Sequence, residues 1–298
     1  MNWLVYAFLA PTFWAFCNVV DKFLLTKKFK NPYSYQVLFS LMDLIVAPLF
    51  LILFKISFSY PFFILGIIIG IIDVNSAFNY YKAMRIEEAS RVIPLSYLNV
   101  LLTVPLAYVF FGEDIGIQKY MGILLFLIGA ILISYKKIKK SKWAFSPAIK
   151  LTLIVAILWS CINIMDKYAL NFIDPISLFF WMTIGFVIGG LSTLLVPRVR
   201  TDFIITAKKL DKKYLLLATI SLFFAYSAFM TFLTAMSTGY VSLVVGIASI
   251  QPFIVFIYTT FLSLFFPNII KEIIDKSTIS LKVIAILLII AGTFLVTI

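Results

Sequence analysis

The sequence predicts an all-α integral membrane protein: ten transmembrane helices as two inverted five-helix repeats. Three observations predict it. Hydrophobic residues make up 63% of the 298-residue chain and charged residues 13%, with a mean hydropathy of +1.07. That is more apolar side chain than a soluble core of this length can cover. The apolar residues fall in continuous stretches that meet or approach the roughly 20 residues a helix needs to cross about 30 Å of hydrocarbon. Finally, Phe13-Trp-Ala-Phe-Cys-Asn-Val-Val-Asp-Lys22-Phe-Leu-Leu25 returns half a chain later as Leu158-Trp-Ser-Cys-Ile-Asn-Ile-Met-Asp-Lys167-Tyr-Ala-Leu170. An odd number of apolar spans lies between equivalent points of the two copies, so they cross a bilayer in opposite directions.

The expected spans are 3–25, 34–54, 61–83, 92–111 and 119–135 in the first half, and 148–170, 177–196, 214–236, 241–266 and 281–297 in the second. The first repeat is 1–138, a basic loop 139–147 follows, and the second repeat is 148–298. Because the apolar runs are continuous rather than alternating, they read as helices and not as barrel strands. The first span has no basic residue before it and no small-residue cleavage site, which argues against a removable signal peptide.

Each span carries polar residues at helical spacing. In the first, Trp14, Asn18 and Asp21 stand at i, i+4 and i+7 and share a face, with Lys22 beside them. The second repeats that spacing with Gln36, Ser40 and Asp43. The third places Asp73, Asn75, Ser76, Asn79 and Tyr80 within roughly half the helix circumference at 3.6 residues per turn, and Gly66-x-x-x-Gly70 permits close helix contact. Ser96, Asn99 and Thr103 share a face of the fourth, which Pro94 and Pro105 weaken. The sixth copies the first as Trp159, Asn163, Asp166 and Lys167, and the seventh contains Gly185-x-x-x-Gly189. Ser227, Thr231 and Thr234 line one side of the eighth, while Gly246, Gln251 and Pro252 interrupt the ninth. An unpaired polar group in hydrocarbon is expensive, so these stripes turn inward, toward a central path or toward hydrogen bonds between helices.

The net charge of +12 does not point to nucleic acid, because the basic residues lie between apolar spans. Apart from Lys55, Lys119 and Lys167, every Lys and Arg sits in or beside an odd-numbered connection. The positive-inside rule then makes those connections cytoplasmic, against membrane lipid headgroups, and puts both termini outside. The chain has no histidine, and its two cysteines, Cys17 and Cys161, lie inside expected helices. No zinc site, cofactor, disulfide or His-dependent base is expected.

The halves keep corresponding beyond the first span: Ala83 with Ala235, Ser90 with Ser242, Asn99 with Gln251 and Gly129 with Gly292. The Trp14, Asn18 and Lys22 segment, the run Tyr80-Tyr-Lys-Ala-Met-Arg-Ile-Glu-Glu-Ala-Ser-Arg-Val-Ile-Pro94, the motif Phe110-Phe-Gly-Glu113 and the pair Gly122 and Gly129 carry a resemblance. Taken in order, they resemble the drug/metabolite transporter superfamily, in particular its EamA-type members with two five-helix repeats. The chain departs from that pattern in three ways. Gln36, Ser40 and Asp43 stand where the family often has an arginine, and Phe265-Phe-Pro-Asn268 replaces the Gly-Glu motif in the second half, with Glu272 as the nearest counterpart. Many relatives also place their termini in the cytoplasm, opposite to what the charge distribution of this chain implies.

The resemblance implies a secondary transporter of the plasma or inner membrane that moves an amino acid, a related metabolite or a cationic compound by alternating access. Acidic stripes without arginine favour zwitterions or cations. The expected substrate contacts are Trp14, Asn18, Ser40, Asp43, Asp73, Asn79, Tyr80, Asn99, Trp159, Asn163, Thr231 and Gln251. One of Asp43 and Asp73 is expected to be protonated at rest and to exchange its proton for substrate or couple to a proton gradient, since no span offers a matching cation at mid-depth. The Asp21-Lys22 and Asp166-Lys167 pairs read as gates or structural pairs. A flippase for a lipid-linked metabolite is the alternative. An intramembrane enzyme is disfavoured because no pair of acids stands mid-span to bind a metal.

Overall fold

The computed structural model describes residues 3–114, 116–138, 142–266 and 276–297. Residues 139–141 of the expected connecting loop, and Asn268 and Glu272, lie outside the described residues.

In the first half, α1 (Trp3–Lys27) leads to α2 (Pro32–Leu53), whose start is set by Asn31 accepting a bond from Tyr33 N at 3.0 Å and by Pro32 in the first turn. α3 (Phe62–Ile86) follows. The expected fourth span is two helices, α4 (Ala89–Ser96) and α5 (Asn99–Phe111), separated at Tyr97-Leu98. Gly112 ends α5 at φ +65°, a left-handed conformation that favours glycine. α6 (Gly116–Ser134) closes the half.

The second half repeats the order. α7 (Ile149–Ala169) is followed by α8 (Pro175–Ser192), started by Asp174 and Pro175 as α2 is by Asn31 and Pro32. A 3₁₀ turn, Thr193–Leu195, leads into α9 (Pro197–Lys208), and then comes α10 (Lys212–Thr238). The expected ninth span is likewise split, into α11 (Val241–Ala248) and α12 (Gln251–Phe265), and α13 (Lys276–Thr297) is last.

Two expectations need correction. The connection between halves is not simply a basic loop: β1 (Tyr135–Ile138) pairs antiparallel with β2 (Lys142–Phe145), a short hairpin in a fold that is otherwise helical. The basic segment after the seventh span is not an unstructured loop either. It forms α9, which docks on α2, with Ser34 Oγ donating to Asp202 Oδ2 at 2.7 Å.

Among the described residues, eight helical segments are long and apolar enough to cross a membrane: α1, α2, α3, α4 with α5, α7, α8 with its 3₁₀ turn, α10, and α11 with α12. α6 and α13 pack against each other, and a Cβ at Gly129 would strike the Ala285 carbonyl. The molecule is inverted relative to a soluble protein. Ile45, Ile52, Val109 and Phe223 face outward, while Asn18, Gln36, Asp43, Thr103 and Gln251 are buried. Such an apolar exterior suits lipid and not water.

The helices do not pack evenly. α3 and α8 run together through Gly66, Gly70 and Gly185, where a Cβ on Gly70 would meet the Met182 carbonyl and one on Gly185 the Ile67 carbonyl. Trp181 Nε1 donates to Ser57 O at 3.0 Å and Ser57 N to Ser177 Oγ at 2.9 Å, sealing the end of that seam. The corresponding pair, α2 and α10, barely touches and is bridged by Tyr226 Oη donating to Asp43 Oδ1 at 2.7 Å.

Candidate functional site

A cavity of about 230 Å³ lies where the two split helices break, walled by α1, α2, α3, α7, α8 and α10. Its size suits a small solute, being slightly below the roughly 300–1,000 Å³ of drug-sized sites. The breaks themselves come from sequence. Pro94 removes a backbone donor from α4, and Pro252, in the first turn of α12, fits the start of a helix better than its interior. Asn99 and Gln251 therefore open the second segment of each split helix and face the cavity.

A chain of hydrogen bonds crosses one wall. Tyr97 Oη donates to Gln251 Oε1 at 2.7 Å, Gln251 Nε2 to Asn18 Oδ1 at 2.5 Å, and Asn18 Nδ2 to Tyr80 Oη at 2.7 Å. It ties α1 and α3 to both helix breaks. Beside it, Trp159 Nε1 donates to Ser76 Oγ at 3.0 Å, and Ser76 Oγ to Asp73 Oδ1 at 2.8 Å. Asn163 Nδ2 reaches Thr103 Oγ1 at 3.3 Å.

Four carboxyl groups line this space: Asp21, Asp43, Asp73 and Asp166. Burying a carboxylate is costly unless donors surround it. Asp21 accepts from Tyr35 Oη at 2.7 Å, Asp43 from Tyr226 Oη and Asp73 from Ser76. Asp166 differs: its Oδ1 is buried with no hydrogen-bond donor among the described residues, and so is Asn99 Oδ1. The described lining contains no Lys or Arg.

Of the expected substrate contacts, Trp14, Asn18, Asp43, Asp73, Tyr80, Asn99, Trp159, Asn163 and Gln251 meet at this cavity. Three stand elsewhere. Ser40 Oγ donates to Phe186 O at 2.9 Å, joining α2 to α8 where Gly190 leaves it room. Asn79 Nδ2 returns to Asn75 O at 3.0 Å, and Thr231 Oγ1 to Ser227 O at 2.8 Å, each within its own helix. Of the expected gating groups, Asp21 and Asp166 line the cavity, whereas both lysines turn to backbone. Lys22 Nζ donates to Met84 O at 2.5 Å and Glu87 O at 2.6 Å, Lys167 Nζ to Met236 O and Gly239 O at 2.8 Å each.

Tyr226, Tyr81 and Phe229 also line the cavity, and so does Gln36, none of them among the expected substrate contacts. Gln36 stood on the Asp43 stripe, which was signal enough. Tyr226 had none, because its significance lies in reaching Asp43 on another helix.

Residues 1–135 fit the sequence profile of the EamA-like transporter family. Over that stretch, somewhat less than half of its length, the chain is similar to a transporter family. The chain is 29% identical to an uncharacterized protein of Methanocaldococcus jannaschii over 107 residues, 35% of this chain and 78% of that one. It is 27% identical over 55 residues to an uncharacterized transporter encoded in the cobO 3′ region of a Sinorhizobium species, spanning 18% of this chain and 39% of that relative. A protein of solved crystal structure shares the fold at TM-score 0.69 and 16% identity, over 98% of this chain and 94% of its own. With eight helical segments of membrane length among its described residues, the chain is a multi-pass membrane protein, and its first 135 residues are similar to a transporter family.

Proposed function

We propose that the protein is a secondary transporter, not an enzyme, that moves a small organic solute by alternating access through the cavity between its halves. Ten spans would build it, α6 and α13 completing two inverted five-helix repeats. Several pairs support the repeat: Asn31 and Asp174 each start a helix beside proline, Asn99 and Gln251 each open a half-helix, and Lys22 and Lys167 each grip two carbonyls. Discontinuous helices at a cavity between repeats suit a site at mid-membrane.

The observation that carries the transport reading is the inequality of two corresponding seams. α3 lies tight against α8, while α2 and α10 meet chiefly at the Asp43–Tyr226 bond. Gln36 and Phe39 of α2 and Ser221 and Ala225 of α10 line the cavity along the loose seam. Both helices begin at basic connections, so by the charge rule this seam opens toward the cytoplasm. Exchange of the tight and loose seams would present the same cavity to the other side. In this reading the protein sits in the cell membrane with its odd-numbered connections cytoplasmic, and Asp43 and Asp73 are the candidate proton carriers.

Counterflow in proteoliposomes tests it: a radiolabelled solute is accumulated transiently only when the same solute is preloaded. Uptake that never saturates would indicate a channel instead, and exchange restricted to lipid-linked solutes a flippase.

A further inference from the structure

The repeated Trp-x-x-x-Asn-x-x-Asp-Lys segment ends in two aspartates whose surroundings differ. After the first copy comes Asn31-Pro-Tyr-Ser-Tyr35, and after the second Asp174-Pro-Ile-Ser-Leu178. Tyr35 gives its hydroxyl to Asp21; Leu178, in the matching place, is fully buried and has none to give. Lys167, next in sequence to Asp166, spends its ammonium on the carbonyls of Met236 and Gly239. Asp166 is thus 2% exposed, lines the cavity, and holds an oxygen without a donor among the described residues. Asn99, 4% exposed and also on the cavity wall, holds a second such oxygen. The other three acids of the cavity each accept from a hydroxyl.

We propose that the cavity recognises a protonated primary or secondary amine, whose N–H groups bond to Asp166 and Asn99. This rests on the transport reading for its physiological meaning but not for its binding test. The Asn99 carbonyl oxygen is an acceptor, and so is Asp166 as a carboxylate, so a ligand that satisfies both donates. The lining has carboxyl groups and no described cation, so the ligand is positively charged. A quaternary ammonium carries the charge but no N–H, and leaves both oxygens unpaired. Trp159, Trp14 and Tyr80 supply aromatic surface suited to the rest of a cation.

The test uses the purified full-length protein in detergent, with quenching of its tryptophan fluorescence as the readout. The probes are 2-phenylethylammonium, its N,N,N-trimethyl analogue and 3-phenylpropionate, beside a panel of aliphatic primary amines. We expect saturable binding of at least one primary amine, at least tenfold tighter than its trimethylated form, and no binding of the carboxylate. Asp166→Asn should weaken the amine at least tenfold while the unfolding midpoint stays within a few degrees. If that variant does not fold, the wild-type probe series still decides. Equal affinity for the trimethylated probe, preference for the carboxylate, silence across every amine, or an unaffected Asp166→Asn protein would each overturn the proposal. Binding without counterflow of the same amine would instead refute the transport reading and leave the recognition intact.

Discussion

Lys22 and Lys167 make the same pair of bonds in the two halves of the molecule. Each stands near the end of the first helix of its half, and each donates to two carbonyls three residues apart at the end of the third long helix, Met84 and Glu87 or Met236 and Gly239. The last carbonyls of a helix lack partners of their own, and an ammonium satisfies them well. Both bonds sit where the chain turns from a long helix into a split one, so each lysine anchors the entrance to a helix break.

These lysines should therefore act on stability. Lys22→Met and Lys167→Met are each expected to lower stability by about 2 kcal/mol, the scale for hydrogen bonds to a charged group, read as a fall in unfolding midpoint in detergent. Ligand affinity in the folded fraction should change less than threefold. A large affinity loss at unchanged midpoint would assign them to the solute.

The α3–α8 seam depends on the absence of side chains. Gly185→Val places methyl groups against the Ile67 carbonyl and should cost about 1–3 kcal/mol, the usual range for overpacking. The same substitution at Gly112, where a Cβ meets nothing, should cost less in packing but incur left-handed strain. Midpoints measured side by side separate the two effects.

Accessibility should follow the unequal seams. In a background with Cys17 and Cys161 replaced, Ala225→Cys on the loose seam should react with a membrane-impermeant thiol reagent applied to the cytoplasmic face. Leu178→Cys, buried on the tight side, should not. Reaction of Ala225→Cys solely from the outer face would reverse the proposed orientation.

Orientation has a second, independent check. A reporter fused after Ile298 should read as non-cytoplasmic, and one inserted after Lys209 as cytoplasmic, because the basic connections hold nearly all the positive charge. The opposite pattern would mean that the bias in Lys and Arg does not set topology in this protein.

The proposed proton coupling would rest on Asp43 or Asp73. At least one of Asp43→Asn and Asp73→Asn should abolish solute accumulation driven by a proton gradient, while exchange of preloaded solute continues. Gradient-driven uptake that survives in both variants would remove the coupling role.

The sequence by itself determined the membrane class, the repeated unit and the helices of membrane length, because hydrophobic length and periodicity are local properties of the chain. It also marked most of the cavity wall: Asn18, Asp73, Asn99, Trp159 and Gln251 had to turn inward to escape hydrocarbon. Ser40, Asn79 and Thr231 obeyed the same rule by bonding to backbone, and phasing cannot tell these outcomes apart, since both hide a polar group from lipid. The helix breaks were foreshadowed by Pro94 and Pro252, whereas α9 and the β1–β2 pair were hidden in segments whose charge dominated the reading. Only the tertiary structure decided which acid keeps an oxygen that no donor among the described residues reaches. Asp21 and Asp166 are the same residue in the same motif. The difference between them is made on another helix, where Tyr35 reaches Asp21 with a hydroxyl and Leu178, at the matching position, has none to offer.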